Sequence, residues 1–222
     1  MRILSVLAGA AVVAAPLQST LHAQSVDATI DRAVAAWAKV KTVRGTFEQT
    51  VSNSLTGGSA TARGRYAQEK PNRLSIRFSD PATDAIVSDG KVLWVYLPNS
   101  APGQVIKRAA TDRASVPIDL TGQFLDAPKS KYDISAAGAR TVDGHAAHGL
   151  LLVPKKGTQS QLTRATVWID DDDSLIREFE STEASGVTRH VRLTSLETNV
   201  AIDPATFSFA PPKGIKIVDQ SK

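Results

Sequence analysis

The chain has 222 residues, is 42% apolar and 5% aromatic, carries 26 Lys and Arg against 22 Asp and Glu, and contains no cysteine. That is enough apolar material for the core of a β-rich domain, and without cysteine there are no disulfides, thiol catalysis, Fe–S clusters or Cys-based zinc sites. The formal charge of +4 is spread along the sequence with no basic block interleaved with aromatics, so nothing points to a nucleic-acid partner.

Residues 1–23 have the layout of a secretory signal: Arg2, an apolar run over 3–15, and the small-residue pattern Leu21-His22-Ala23. The apolar run is shorter than the roughly 20 residues a spanning helix needs. The expected mature chain is therefore residues 24–222, a single domain exported to the periplasm. Residues 27–41 predict a helix with Ile30, Ala33, Val34, Trp37 and Ala38 on one stripe and Asp31, Arg32 and Lys39 opposite.

Strands follow. Residues 43–52 place Val43, Gly45, Phe47, Gln49 and Val51 on one face, and 60–68 make a weaker strand after a Gly-rich turn. In 70–81, Leu74, Ile76 and Phe78 alternate with Arg73, Ser75 and Arg77 between two prolines, which cannot donate to a ladder and so bracket the strand. A link through Ala85-Ile86-Val87 leads to the turn signal Asp89-Gly90. The strand after it is apolar on both faces, with Val92, Trp94 and Tyr96 on one and Leu93, Val95 and Leu97 on the other.

After a short strand at 104–107 the pattern changes. Pro117 suits a first helical position, and Ile118, Leu120, Phe124 and Leu125 are apolar around most of a helical girth. A short helix of that kind, inserted between strands, is buried against the sheet or plugs an opening in it, which makes it a lid candidate. Strands at 132–135, 146–153, 162–170, 175–182 and 187–196 are separated by marked turns, and two short extended pieces close the chain. The fold expected is mainly β with a helical lid. It is an incomplete antiparallel β-barrel of about eleven strands, covered by an N-terminal helix and a short inserted helix.

No nucleophile elbow, phosphate loop, zinc-protease motif or dinucleotide fingerprint occurs, so no catalytic residue, cofactor or metal site is expected. His145 and His148 are three apart at the entrance to a strand, which sets them on opposite faces, and His190 stands alone. The run Asp170 to Asp173 lacks the glycine and the bidentate glutamate of a calcium loop and reads as a solvated hairpin tip.

The sequence resembles the periplasmic outer-membrane lipoprotein carrier family, LolA. The likeness is carried by Thr46-Phe47-Glu48-Gln49, Gly64, Pro71-Asn72, Ser88-Asp89-Gly90-Lys91 with Leu93-Trp94 and Tyr96, Pro117, and Phe207-Ser208-Phe209-Ala210-Pro211-Pro212-Lys213-Gly214. The resemblance implies a half-barrel enclosing a hydrophobic cavity that receives the acyl chains of lipoproteins. The partners it implies are an inner-membrane ABC transporter that supplies the cargo and an outer-membrane receptor lipoprotein that accepts it, served by a monomeric chaperone without enzymatic activity.

On that reading the acyl-chain cavity is lined by Phe47, Val51, Leu74, Ile76, Phe78, Val92, Trp94 and Tyr96, and the lid is Pro117, Ile118, Leu120, Phe124 and Leu125. Alternation identifies a face without saying what covers it, so plain core under the first helix is the competing account. The family's usual arginine before the proline, which holds the lid, is replaced here by Lys70, a flexible three-donor group, so the latch is expected to be weaker or shared with Arg73. The alternative function is a lipoprotein-sensing envelope-stress module of the same half-barrel type. An enzymatic alternative, a lipid hydrolase, lacks its nucleophile.

Overall fold

The computed structural model describes residues 18–111 and 120–221, with side chains from Val26 onward. Helix α1 (Gln18–Ala38) is followed by β1 (Thr42–Asn53), β2 (Ser59–Glu69), β3 (Arg73–Asp80), β4 (Ala82–Asp89), β5 (Val92–Tyr96) and β6 (Gln104–Ala109). A 3₁₀ turn at Gly122–Phe124 and the short helix α2 (Pro128–Lys131) precede β7 (Tyr132–Val142), β8 (His145–Pro154), β9 (Leu162–Asp170), β10 (Ile176–Glu183) and β11 (Val187–Thr198). A second 3₁₀ turn, Pro204–Phe207, leads to β12 (Lys216–Asp219).

All twelve strands form one sheet in the order β12-β6-β5-β4-β3-β2-β1-β11-β10-β9-β8-β7. Two antiparallel meanders, β1 to β6 and β7 to β11, are joined where β1 pairs with β11, and β12 adds in parallel beside β6. The ends of the series, β12 and β7, are the two sheet edges, so the barrel does not close.

Helix α1 starts nine residues earlier than the apolar stripe predicts and runs through the expected cleavage junction after Ala23. No proline or glycine lies between Pro16 and Asp27 to stop it. Its buried apolar residues are Val26, Ile30, Ala33 and Trp37, one per turn, with Thr29 buried beside them, while Ala38 is exposed and Val34 half-buried. The stripe packs on Val43, Phe47, Tyr66, Leu74 and Ile76 from one meander and on Leu150, Leu152, Val167, Phe179, Val191 and Leu193 from the other.

The sheet holds one strand more than the sequence suggests, because residues 82–89 are β4 and not a link. Its polar positions hid it. Asp84 is buried and accepts hydrogen bonds from the Asn99 side chain at 2.9 Å and the Asn99 backbone at 3.3 Å. Ser88, also buried, donates to Asn72 O at 2.7 Å. Both polar groups are satisfied, so their burial carries little penalty. Strand β7 runs on to Val142 past a bulge between Ala136 and Ala139, where Gly138 takes a positive φ of 90°.

The β9–β10 turn is only partly the solvated tip expected. Asp171 to Asp173 are exposed, but Asp170 is buried and meets Arg177 Nε and His145 Nδ1, each at 2.8 Å. Burial pushes its carboxyl pKa up, but the Asp172 N–H, the Arg177 guanidinium and His145 outweigh that and hold it below the ordinary value. His148 bonds Asp171 at 2.5 Å. His190, expected to stand alone, bonds Glu178, which also takes Arg140 Nη2 at 2.5 Å. Arg140 in turn lies 3.5 Å over the Trp168 ring.

Two expectations follow. A Cβ on Gly64 would stand 2.5 Å from the Arg77 carbonyl oxygen and 2.9 Å from the Phe47 ring, so Gly64→Ala should lower stability by about 1–3 kcal/mol, measured by urea unfolding. Because the folded pKa of Asp170 is depressed, its contribution is present above the unfolded value of about 4 and is lost as pH falls through the folded one. Asp170→Asn should therefore lower the urea midpoint at pH 7, and the gap from the parent should shrink at pH 2–3.

Candidate functional site

Residues paired across neighbouring strands share a face, so the register sorts the sheet into an inner, concave side under α1 and an outer side. Phe47 pairs with Gly64 and Gly64 with Phe78; Gly45 pairs with Tyr66 and Tyr66 with Ile76; Gln68 pairs with Leu74. Phe47, Val51, Leu74, Ile76 and Phe78 are therefore on one side, as the alternation predicts. Phe47, Leu74 and Ile76 are buried, whereas Val51 and Phe78 are half-buried toward the other end of their strands. Phe47 and Phe78 meet edge to face with ring centroids 5.5 Å apart.

Val92, Trp94 and Tyr96 are not brought to that side. Ser88 pairs with Leu93 and Leu74 with Ser88, so Leu93, wholly buried, takes the inner face of β5. Trp94 pairs with Val87, which pairs with Ser75, and Tyr96 pairs with Ala85, all on the outer face. The reason is the turn: four residues, 89–92, separate the paired Ser88 and Leu93, with Gly90 at φ 99° and Asp89 Oδ1 accepting from the backbone of Lys91 and Val92 at 2.7 and 2.8 Å. A strand apolar on both sides gives no hint of this choice.

The outer aromatics form a second layer. Phe209 lies 6.0 Å from Trp94 and 5.8 Å from Tyr96 between ring centroids, Phe207 is 2% exposed, and Arg77 Nη2 donates to Ser208 O at 2.8 Å. Asp203 caps the Pro204–Phe207 turn by accepting from Ala205 N. The sequence places Phe207 to Phe209 only as an extended piece; the structure makes it a strap across the outside of β3 to β5.

The lid residues divide between described and undescribed segments. Pro117 and Ile118 lie outside the described residues. Leu120 is half-buried against the core, and Phe124 and Leu125 are buried, with Phe124 and Phe179 ring centroids 5.0 Å apart on the inner face. The following α2 is tied to the other cover: Lys129 Nζ reaches Asp31 at 2.8 Å and Asp27 at 3.3 Å on α1. These carboxylates hold the Lys129 pKa above its ordinary value. The segment 120–131 and α1 are thus joined to each other as well as to the sheet.

Lys70 Nζ donates to Trp37 O at 2.7 Å and stands 4.3 Å over the Trp37 ring. It adds a second donor to a carbonyl of the last helical turn, which also accepts from Val40 N at 3.1 Å. Arg73 pairs with Glu69 at 3.2 Å. The two candidate latch residues therefore act at different places, one on α1 and one within the β2–β3 turn.

Sequence reasoning did not single out the far half of the concave face, formed by Leu150, Leu152, Val167, Phe179, Val191 and Leu193. Alternation along 146–153, 162–170 and 187–196 carried that signal. Arg189 is on this side too, opposite Val51 on β1 and Ser181 on β10. In this structure the space between sheet and helices is occupied by side chains of both, Ile30, Trp37 and Phe124 among them. Two surface depressions are described, one around Lys41, Thr42 and Asn199 and one around Glu48, Glu178 and His190, and both are open to solvent. Among the described residues no group of three or more His, Asp or Glu could hold a metal, and no helix is long and apolar enough to cross a membrane.

Comparison with known proteins bears on this arrangement. Residues 38–210 match the family model described as outer membrane lipoprotein carrier protein LolA. The outer-membrane lipoprotein carrier protein of Chromobacterium violaceum is 29% identical over 179 residues, covering 80% of this chain and 81% of the relative. That of Klebsiella pneumoniae subsp. pneumoniae is 27% identical over 186 residues, covering 83% and 84%. Among solved structures, an uncharacterized conserved protein of Thermus thermophilus aligns with a TM-score of 0.51 at 14% identity, over 89% of this chain and all of the other. The lipoprotein LppX of Mycobacterium tuberculosis aligns with a TM-score of 0.50 at 14% identity, over 81% and 98%. These two likenesses speak for the fold alone. With the family model spanning both meanders and the Phe207–Phe209 strap, the chain belongs to the outer membrane lipoprotein carrier protein family LolA, periplasmic lipoprotein carriers that are not enzymes.

Proposed function

We propose that this chain, exported by cleavage of residues 1–23, works as a monomer that takes the acyl chains of lipoproteins onto the concave face between α1, the 120–131 segment and the sheet. On this reading it receives them from an inner-membrane ABC transporter and delivers them to an outer-membrane receptor lipoprotein. The observation that carries the reading is an apolar inner face running from Leu74 and Phe47 across to Val191 and Leu152, covered among the described residues by α1 and the 120–131 segment, which the sheet's ladder does not hold.

Burial of each CH₂ is worth about 0.8 kcal/mol, so a chain of roughly sixteen carbons represents on the order of 12 kcal/mol, and it does not cross water unescorted. Release then has to be easy enough without a nucleotide site in this chain. Phe124 and Leu125, packed in the core, supply that balance: a passenger must displace them, and the burial they lose offsets part of the burial it gains. The acyl-chain wall proposed is Phe47, Val51, Leu74, Ile76 and Phe78 with the facing residues of β8 to β11. Val92, Trp94 and Tyr96, beneath the outer strap, are left out of it.

The test is capture. Purified protein mixed with a detergent-solubilised triacylated lipoprotein, followed by removal of detergent, should keep the lipoprotein in a soluble complex on gel filtration. Phe78→Glu, at a half-buried wall position, should reduce the captured fraction roughly tenfold, and undiminished capture would remove β3 from the wall. Lys70→Met, which keeps the stem and deletes the donor and charge, should loosen α1 by about 1–2 kcal/mol. Faster hydrogen exchange around Lys39 and faster loading are expected; an unchanged loading rate would place Lys70 outside the latch.

A further inference from the structure

Arg189 is a cation of the concave face that the carrier reading does not use. Arg189 on β11 faces inward, sharing its side of the sheet with Val51 across one ladder and Ser181 across the other, and with the buried Val191 next along its own strand. The residue is half-buried, and its one described hydrogen bond runs from Nη1 to Gln49 Oε1 at 3.2 Å. Among the described residues no carboxylate lies within ion-pairing distance of it; Glu183 acts on it only from farther off. Burial lowers its pKa from the ordinary arginine value, with Glu183 opposing, yet a guanidinium keeps its proton throughout the neutral range.

A guanidinium offers five N–H donors in a planar fork, and here a neutral amide takes one of them. Half-buried beside Val51 and Val191 and bonded by Gln49, the guanidinium keeps most of its donors for solvent or a ligand. Its position is also specific. Buried Leu193 and Phe47 lie deeper on the same face, whereas Arg189 and Val51 stand toward the hairpin tips at 54–58 and 184–186, where the face meets solvent. A molecule with a hydrocarbon tail in the apolar part would bring its oxygen-bearing head to this level.

Resting on the carrier reading, we infer that Arg189 binds the oxygen-bearing head of an acyl passenger, donating from its fork to an ester or carboxylate oxygen while the chain lies against Val51, Val191 and Leu193. Gln49, by accepting from Nη1, orients the fork. The guanidinium thereby sets how deep a tail enters and favours acyl chains over plain hydrocarbon.

The experiment measures binding of a long-chain fatty acid, its methyl ester and the alkane of equal length to the full chain and to Arg189→Met, with Arg189→Lys as the charge-preserving control and thermal unfolding as the check on folding. The parent should bind the acid and ester more tightly than the alkane. Arg189→Met should weaken the oxygen-bearing ligands about tenfold and leave the alkane unchanged, and Arg189→Lys should recover part of the loss. A fall for the acid alone assigns the contact to a carboxylate head, and a fall for both assigns it to one that includes the ester. Equal affinity of Arg189→Met and parent for all three, or an equal loss for all three, overturns the role of Arg189 while leaving the carrier reading standing. No binding of any of the three by the parent overturns both.

Discussion

A curved antiparallel sheet whose two ends do not meet has an apolar concave side that the sheet itself cannot bury. That constraint shapes the rest of the chain. The ladder from β12 to β7 satisfies backbone groups but leaves Phe47, Leu74, Phe179 and Val191 to be covered by something that is not a strand. Helix α1 meets the need with four buried positions in register with its turns, and Phe124 and Leu125 fill what remains. Directed contacts to the cover include the Lys70 bond to Trp37 O and the Lys129 pairs to Asp27 and Asp31, the latter exposed and individually worth little. Strong inter-strand pairing with weakly tied cover is the arrangement a reversible carrier needs.

Charge is organised on the outer side. Glu178 is buried and bonded by Arg140 and His190, while Arg192 bridges Glu48 and Asp143, and Glu48 also meets Arg63. These groups sit on β1, β2, β7, β10 and β11, with Asp143 in the turn after β7, and cross the joint where the two meanders meet. The Arg192 hydrogen bond, with the charges of Arg63 and Arg192, outweighs desolvation and holds the Glu48 carboxyl below its usual range. Polar partners on one face and apolar ones on the other fix which way each strand turns, since a slip by one residue would bury the arginines.

Much of this was legible in the residues. The bounds of β9, Leu162–Asp170, agree with the alternation, and the strand with Leu74, Ile76 and Phe78 on one face stands as its pattern implies. What was hidden has physical causes. The segment that became β4 carries Asp84 and Ser88 inward, and only partners distant in sequence, Asn99 and Asn72, make that tolerable. Trp94 could have faced either way because β5 is apolar on both sides; a four-residue turn decided it. His190 and Glu178 lie twelve residues apart and meet only through the β10–β11 ladder. The candidate face was half visible: its near part showed in one strand's alternation, whereas its far part is assembled from four strands, none distinctive by itself.

The strap formed by Phe207 and Phe209 gives the sheet packed aromatics on its convex surface as well. Val87 and Leu74 occupy adjoining strands yet point to opposite compartments. On the exterior side Phe209 packs against Trp94 and Tyr96, and Phe207 is buried. The sheet across β3 to β5 is therefore packed from both sides, and its concave face is backed by a layer separate from the helical cover.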